Sequence, residues 1–316
     1  MILAHHLAHN PSIGTFLGID LGATNIAAAL VDARGTIVRQ AGMPTQRERT
    51  ACEIVEDMTK LAFCLLKEGG LREQDITAAG VGVPGLVVPE TGIVYQCPNL
   101  SWHELPLRDM LQERLALPLY IANDANCAAL AELHAGAFRG RQNAVLITLG
   151  SGVGGGVILG GKLYTGAQGA AGEIGHMVIH PDGEPCACGN RGCFERYASA
   201  DALTRTPSRI PFTAKEVVDA AKTGAIAALN LFNDYVANLA IGIVSIINLY
   251  DPEVVALGGG ISQAGDFLLE AVRKEVAKRL PFKGYPSAEI VLAALGNEAG
   301  PIGAALYAAQ SEGAVS

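Results

Sequence analysis

The sequence predicts a mixed α/β fold with helices packed on sheets, and three observations support this prediction. Short apolar runs rich in Val and Ile end at glycines, which is typical of buried strands. Longer segments with a 3.6-residue apolar rhythm lie between them, which is typical of helices. A strand–glycine turn–strand pattern occurs at 15–31 and again at 144–159, which indicates two related halves. With 316 residues, the chain is long enough for two domains.

The predicted elements of the first half are bounded by glycines and by one Asn-Asp pair. In chain order they are strands at 15–20, 25–31 and 36–41, a helix that ends at Gly69-Gly70, a buried strand in 76–87 that runs into a glycine loop, an amphipathic segment at 106–117, and a strand in 118–122 that breaks at Asn123-Asp124 into an Ala-rich helix.

The second half starts again with a strand pattern at residue 144. Its predicted elements are a strand–glycine turn–strand unit at 144–159, helices in 213–224, 225–249 and 267–280, and strands in 253–262 and 288–297 that end in glycine. No low-complexity linker separates the halves, so we expect a packed hinge near 122–126.

The charge balance argues against two classes of partner. The net charge is −8 without any Lys/Arg block, whereas nucleic acids and anionic membranes require a basic surface.

The longest apolar stretch, 237–250, is shorter than a membrane span and contains Asn238 and Asn248, so we expect a buried core helix. Residues 1–14 are too polar for a signal peptide. The expected compartment is the cytoplasm.

Four scattered cysteines occur in apolar contexts, and in a reducing compartment they are expected to be buried, reduced thiols. They are Cys52, Cys64, Cys97 and Cys127.

The segment GSGVGG at 150–155 matches the dinucleotide-binding pattern G-x-G-x-x-G. That pattern requires a helix directly after it, because the helix N-terminus holds the pyrophosphate. The residues that follow, VILGGKLY, have the pattern of a strand. The sequence therefore predicts a glycine-rich hairpin turn, whose amides either bind no ligand or hold phosphate oxygens.

A second glycine turn, DLGATN at 20–25, follows the first strand. Asp20 is either an ordinary turn residue or an acid that organises Mg²⁺ through its water shell. In the second case Thr24 and the nearby amides reach phosphate oxygens. The two turns, one in each half, fit two lobes that close on a nucleotide.

Asn123-Asp124 lies where an apolar strand gives way to a helix. One interpretation is an Asx helix cap. The other is a general base, since a carboxylate at a strand end can take a proton from a substrate hydroxyl. A single carboxylate suits phosphoryl transfer better than glycoside hydrolysis, which needs two.

The segment 169–195 combines two histidines and three closely spaced cysteines with Glu173 and Glu195. A disulfide is disfavoured in the cytosol and would leave one thiol over. Tetrahedral zinc takes four N or S ligands, so three thiolates require one histidine, either His176 or His180. With four protein ligands such a site is closed and structural rather than catalytic.

Taken together, these motifs resemble the sugar kinases of the ROK group (repressors, open reading frames, kinases) within the actin-like ATPase superfamily. The matching stretches run in order from about residue 15: LGIDLGATNI, VPG at 83–85, PNL at 98–100, ANDAN at 122–126, TLGSGVGGG, GAAGEIGH, CACGNRGCFE, ALGGG at 256–260 and LGNEAGPIGAA at 295–305. The CxCGxxGCxE and ExGH strings are highly specific to the ROK family, whereas the glycine loops alone are weak evidence for it.

The resemblance implies a role for each matching residue. Asp124 is the implied base that activates the sugar 6-hydroxyl. The implied hexose contacts are Gly85, Asn99, Asn123, Asp124, Glu173, His176 and Glu195. The implied nucleotide contacts are Asp20, Gly22, Thr24, Asn25, Gly150, Ser151, Gly152, Val153, Gly259 and Gly260. The implied ligands of a structural Zn²⁺ are His176, Cys186, Cys188 and Cys193.

The resemblance also implies a two-lobed, ribonuclease H-like fold with the active site in the cleft between the lobes. The small lobe would comprise 15–122, completed by a C-terminal helix at 300–316. The large lobe would comprise 123–299 and carry the zinc loop and a dimerisation surface. A homodimer is expected, with a tetramer as the alternative.

The implied activity is ATP- and Mg²⁺-dependent phosphorylation of a hexose at the 6-hydroxyl, with glucose as the first choice. The alternatives are N-acetylmannosamine, N-acetylglucosamine, fructose or allose as substrate, or a non-catalytic sugar sensor.

The sequence departs from the family pattern at three places. Ala23 replaces a glycine of the first loop, which requires a negative φ at that residue. Ser151 replaces a threonine and keeps the hydroxyl. The stretch after Ala200 is shorter than in many relatives. About 14 residues precede the first strand, too few for the helix-turn-helix of the repressors, so a DNA-binding repressor is not expected.

Overall fold

The computed structural model describes residues 14–205 and 212–315. The predictions made for residues 1–13 lie outside this range, as does 206–211, which belongs to the stretch after Ala200. The chain divides into two compact units. The described residues of the first unit are 14–139, 163–171 and 297–315, and those of the second are 140–162, 172–205 and 212–296.

The strands are β1 (Thr15–Leu21), β2 (Asn25–Asp32), β3 (Ile37–Pro44), β4 (Ala78–Val83), β5 (Leu86–Val88), β6 (Ile93–Cys97), β7 (Trp102–Leu105), β8 (Leu119–Asn123), β9 (Ala144–Leu149), β10 (Val153–Leu159), β11 (Lys162–Leu163), β12 (Val254–Gly258) and β13 (Glu289–Leu292). The helices are α1 (Ala51–Gly69), α2 (Leu107–Gln112), α3 (Asp124–Ala135), α4 (Glu195–Ala198), α5 (Ala200–Thr204), α6 (Ala214–Lys222), α7 (Ile226–Tyr250), α8 (Asp266–Arg279) and α9 (Ala299–Ser311).

The main sheet of the first unit has the strand order β3-β2-β1-β4-β8. β1, β2 and β3 are antiparallel neighbours, whereas β1, β4 and β8 run parallel. Because side chains alternate along a strand, Leu17 and Ile19 join the core that includes α1, and Phe16 joins a smaller cluster with α9. Because β1, β4 and β8 run parallel, their carboxyl ends meet at one edge of the sheet.

Helix α9 lies directly on the backbone of this sheet. A Cβ atom at Gly18 would lie 1.9 Å from the carbonyl oxygen of Pro301, and one at Gly80 would lie 1.8 Å from that of Ala304. A third close approach joins α9 to α3, since a Cβ at Gly303 would lie 1.7 Å from the Cys127 carbonyl oxygen. Only glycine permits contacts this short.

A three-stranded antiparallel sheet, β5-β6-β7, completes the first unit. It was not predicted from the sequence, because its strands have three to five residues and show no clear alternation. It buries Trp102, the single tryptophan of the chain, in the core of the first unit.

The sheet of the second unit has the order β11-β10-β9-β12-β13. β9 and β10 form the antiparallel hairpin predicted from the glycine repeat, and β12 and β13 run parallel to β9. Helices α6, α7 and α8 contribute to the core that covers this sheet.

Helix α7 is, among the described helices, the one long and apolar enough to cross a membrane by length and composition. Half of its most apolar stretch of 18 residues is buried in the protein. Core helices of soluble proteins can be just as long and apolar. Phe232, Leu239 and Ile243 of α7 lie fully inside the second core. These contacts agree with the core helix predicted from the sequence.

Several predicted details differ from the structure. Cys97 and Cys127 are buried, but the prediction of buried thiols is wrong for Cys52 and Cys64. These two lie on the side of α1 that faces solvent, opposite Ile54 and Met58 in its apolar stripe.

The compact units differ from the predicted lobes at 163–171 and 297–299, and over the longest stretch at 123–139. This segment belongs to the first unit because α3 packs on α9. The lobe boundaries themselves stay a prediction.

Candidate active site

The carboxyl ends of three parallel strands bring several candidate residues of the first unit together. Asp20 lies near the end of β1, where it pairs with Gly82 of β4. Gly85 follows β4, and Asp124 directly follows β8 as the first residue of α3. In open α/β sheets, ligands bind at such an edge.

Asn123 is the N-cap of α3, as one of the two interpretations of the sequence proposed. Its Oδ1 accepts hydrogen bonds from the amides of Ala125 (2.9 Å) and Asn126 (3.1 Å). Its Nδ2 donates to the Gly85 carbonyl oxygen at 3.0 Å. The cap therefore also ties the start of α3 to the loop after β4.

Gly85 has a φ of +93°, and a Cβ there would lie 2.2 Å from the Gln96 carbonyl oxygen. This position thus admits only glycine. The close approach fixes the loop after β4 against β6, the strand that leads to Asn99.

Asp20 and Asp124 form a pair of crowded carboxyl groups. Burial, and secondarily the charge of Asp124, raises the pKa of Asp20 to about 7. Burial also raises the pKa of Asp124, although a hydrogen bond from the Ala125 amide opposes the shift. A carboxylate with a raised pKa is a stronger proton acceptor, which is the property that a general base needs.

Asn99 lies in a 3₁₀ turn, Pro98–Leu100, that directly follows β6. The turn follows Cys97, whose pKa is raised to about 11, mainly by burial and also by the Asp124 charge. A Cβ at Gly85 would lie 3.0 Å from the Cys97 Cα, and Gly85 accepts the hydrogen bond from Asn123, so the turn of Asn99 begins beside the loop that is tied to the start of α3. Asn99 itself is exposed.

The first glycine turn joins β1 to β2. The Gly22 amide donates to the Asn25 carbonyl oxygen at 2.9 Å, while Thr24 and Asn25 are exposed. Ala23 is not among the non-glycine residues with a positive φ, so its methyl group causes no backbone strain. The requirement stated for Ala23 from the sequence is met.

The second glycine turn joins β9 to β10, and a strand follows it as predicted. The Gly150 amide donates to the Gly152 carbonyl oxygen at 3.0 Å, and Ser151 is exposed. The turn is also held from outside, since the Ala200 amide donates to the Gly150 carbonyl oxygen at 2.8 Å.

Gly259 and Gly260 follow β12, which runs parallel to β9. Gly259 has a φ of +82°, and a Cβ there would lie 2.5 Å from the Leu149 carbonyl oxygen. The structure therefore brings these two glycines next to the start of the second glycine turn.

The side chains of His176, Cys186, Cys188 and Cys193 place one donor atom each within 4.8 Å of all the others. The Cys188 and Cys193 sulfurs are 3.6 Å apart, and Cys186 Sγ lies 3.7 Å from His176 Nδ1. Tetrahedral zinc with Zn–S bonds near 2.3 Å separates its ligands by about 3.8 Å. The donor set and its spacing fit zinc.

His180 is outside this cluster. Its Nε2 forms a 2.5 Å hydrogen bond with Asn238 Oδ1 of α7, and its ring packs edge-on against Tyr197. Of the two histidines left open by spacing alone, the structure therefore places His176 with the cysteines.

Two carboxylates flank the cysteine–histidine cluster. Glu173 Oε2 lies 3.9 Å from His176 Nε2, on the ring edge opposite the cysteines. Glu195 Oε1 accepts a hydrogen bond from the Cys186 thiol at 3.0 Å. Its Oε2 would lie 3.0 Å from a Cβ at Gly152, so Glu195 spans the distance from the cluster to the second glycine turn.

The candidate residues thus form two sets, each within one compact unit. The first unit holds Asp20, Gly22, Thr24, Asn25, Gly85, Asn99, Asn123 and Asp124. The second holds Gly150, Ser151, Gly152, Val153, Glu173, His176, Cys186, Cys188, Cys193, Glu195, Gly259 and Gly260.

A family model with the description "ROK family" matches residues 16–311, nearly the whole chain. The chain belongs to the ROK family. Among ROK relatives, a glucokinase of Streptomyces coelicolor is 36% identical over 314 residues, which cover 93% of this chain and 97% of that protein. The xylose repressor of Bacillus subtilis is 31% identical, and the match covers 94% of this chain and 77% of the repressor.

A solved ROK structure resembles this chain over almost its full length. The crystal structure of a ROK family glucokinase from Streptomyces griseus, in complex with glucose and AMPPNP, has a TM-score of 0.83 and 34% identity. The match covers 94% of this chain and 100% of that chain. The predicted family, the actin-like α/β fold and the class of hexose kinase are confirmed.

One residue beside the site of this ROK protein has no signal in the sequence. Thr45 is fully buried, and its hydroxyl donates to the Gly22 carbonyl oxygen at 2.7 Å. It occurs in the polar segment TQRERT, which reads as an ordinary loop. No local signal distinguishes it there.

Proposed function

We propose that this ROK protein transfers the γ-phosphoryl group of ATP to the 6-hydroxyl of a hexose, with glucose as the preferred sugar. The observation that carries the proposal is the Asp124 carboxyl at the start of α3, with a pKa raised by burial and with Asn123, Gly85 and the turn of Asn99 around it. The similarity to glucokinases, one of them solved with glucose and AMPPNP, supports glucose and ATP as substrates.

In this proposal Asp124 accepts the proton of the sugar 6-hydroxyl while the hydroxyl oxygen attacks the γ-phosphorus and ADP leaves. Asn99, Asn123, Glu173, His176 and Glu195 hold the hexose by hydrogen bonds, so that the reacting oxygen is positioned for attack.

The two glycine turns hold the nucleotide. The amides of Gly22–Asn25 and Gly150–Val153 bind phosphate oxygens, and Gly259-Gly260 contacts the adenosine side. Mg²⁺, when bound with ATP, neutralises charge on the phosphates. Asp20 lies where a carboxylate can organise the water shell of that ion.

We further propose that His176, Cys186, Cys188 and Cys193 bind one structural zinc ion. Four protein ligands leave no open position, so the ion would supply rigidity rather than chemistry. His176 would bind it through Nδ1, which faces Cys186, and keep Nε2 for the hexose side.

The protein is proposed to work in the cytoplasm as a homodimer, with a tetramer as the alternative. The lobe division at 122–123 and a dimerisation surface on the larger lobe belong to the same proposal.

The test is a coupled assay of ADP formation with glucose, mannose, fructose, allose, N-acetylglucosamine and N-acetylmannosamine. ATP is compared with polyphosphate as donor. We expect ATP-dependent turnover that is highest with glucose. Faster turnover with another sugar overturns the choice of glucose, and sugar binding without turnover on any sugar indicates a sensor.

A further inference from the structure

The segment after β3 is joined to the first glycine turn by two hydrogen bonds from one residue. Thr45 is fully buried. Its amide donates to the Thr24 carbonyl oxygen at 2.8 Å, and its hydroxyl donates to the Gly22 carbonyl oxygen at 2.7 Å. The hydrogen bond from the Thr45 amide extends the β2–β3 pairing by one residue pair, because Asn25 already pairs with Pro44.

The two hydrogen bonds from Thr45 determine the direction in which the backbone amides of the first glycine turn point. In a planar trans peptide, the carbonyl of one residue and the amide of the next point in opposite directions. Since the Gly22 carbonyl points at Thr45, the Ala23 amide points away from it. Within the described residues, the amides of Ala23 and Thr24 donate no hydrogen bond. Both remain available to a ligand.

Thr45 is itself held in place from α1. Arg49 Nη2 donates to the Thr45 carbonyl oxygen at 3.0 Å and also to Asp57 Oδ2 at 2.6 Å. The Asp57 side chain is only 12% exposed and belongs to the face of α1 that packs on the core. A charge-assisted bond at this depth is stronger and less screened than one on the surface.

We propose that Thr45, Arg49 and Asp57, here called the Thr45 clamp, are positioning residues for the nucleotide. The clamp fixes the carbonyls of the first glycine turn, and thereby keeps the turn's amides aimed at the phosphates before ATP arrives. This preorganisation lowers the ordering cost of binding. The inference rests on the proposed function, because it assumes that the first glycine turn binds the phosphates.

The test compares Thr45→Val with Thr45→Ser. Val has nearly the shape of Thr but lacks the hydroxyl, so it leaves the Gly22 carbonyl without its side-chain donor, whereas Ser keeps the donor. We expect Thr45→Val to raise the Kd for a non-hydrolysable ATP analogue about tenfold, corresponding to one lost hydrogen bond at a buried acceptor. Thr45→Ser should stay within about twofold of the wild type.

The matched control is Thr59→Val. Thr59 is also a buried threonine of the first unit, but its hydroxyl donates to the Val55 carbonyl oxygen within α1, at 2.9 Å. This variant loses the same kind of bond without touching the glycine turn. We expect a lower melting temperature and an unchanged Kd for the ATP analogue. In all three variants the KM for hexose should remain that of the wild type.

Asp57→Asn provides a second arm, which removes the charge that pairs with Arg49 at 2.6 Å and, with it, the longer 3.8 Å ion pair to the exposed Lys60. We expect about a threefold higher nucleotide Kd with the same hexose KM. If Thr45→Val does not fold, this variant carries the test.

Two results would contradict the proposed role of the Thr45 clamp in nucleotide binding. One is a Kd for the ATP analogue that is the same in Thr45→Val, or in Asp57→Asn, as in the wild type. The other is equal weakening of nucleotide and hexose binding, which indicates general loosening of the unit. A wild type that binds no nucleotide overturns the proposed function as well, so the two failures are distinguishable.

Discussion

Replacing Asp20 by Asn should stabilise the ligand-free protein at neutral pH while it impairs turnover. Asp20 has a pKa of about 7 in the folded chain, raised by burial and by Asp124, against 3.8 as the ordinary value. Between these two pH values the folded chain binds one more proton at this site than the unfolded chain. The free energy of unfolding therefore falls as the pH rises through this window.

The magnitude follows from the width of the window. Each pH unit within it costs about 1.4 kcal/mol of stability. From pH 5 to pH 8 only the part below about 7 counts, so the wild type should lose about 3 kcal/mol relative to Asp20→Asn. Turnover should fall in the variant because the acid proposed to organise Mg²⁺ is gone.

The assay uses the single tryptophan of the chain. Trp102 is buried in the first unit, which also contains Asp20, so its fluorescence reports on the unfolding of that unit. Urea titrations at pH 5 and pH 8 give the unfolding free energy of each variant. Asp109→Asn, which removes an exposed carboxylate of the same unit, controls for the change in net charge.

One outcome refutes this reasoning directly. If Asp20→Asn and the wild type lose the same stability between pH 5 and pH 8, then Asp20 does not titrate in that range. A stabilised variant that keeps full turnover instead refutes the role of Asp20 at the Mg²⁺ ion.

Three further predictions concern the base, the metal and the fit of α9. Asp124→Asn should lower turnover by ~10²–10⁴-fold in the coupled assay and leave hexose affinity by calorimetry nearly unchanged; near-normal turnover removes Asp124 as the base. Metal analysis should find about one zinc per chain, and chelation should weaken hexose binding before ATP binding; a metal-free protein with full activity contradicts the structural zinc site. Gly80→Ala places a methyl group 1.8 Å from the Ala304 carbonyl oxygen and should cost about 3 kcal/mol or more by Trp102 fluorescence; an unchanged unfolding curve contradicts the close packing of α9.

Much of the fold could be predicted because its signals are local. The strands β1, β8 and β12 are apolar runs that end at a glycine or at the Asn123-Asp124 pair. Such runs and turns are properties of a few neighbouring residues. The hairpin at 150–155 was recognised for the same reason, since the residues after it have a strand pattern rather than a helix pattern.

The elements that were missed depend on distant partners. β5, β6 and β7 are too short to show a period, and they pair only because the fold brings them together. Thr45 occurs in a polar loop and is buried because β3 ends beside the first glycine turn. Cys52 and Cys64 have apolar neighbours in the chain, yet the rotation of α1 turns them to solvent.

The close packing of α9 on β1 and β4 has a consequence for biosynthesis. The strands of the first unit leave the ribosome early, but α9 follows only after the whole second unit has been made. Until then the sheet surface around Gly18 and Gly80 has no cover, and the nascent first unit exposes apolar residues such as Phe16. The nascent chain is therefore most in need of chaperones while its second unit is being synthesised, and the first unit completes its folding last.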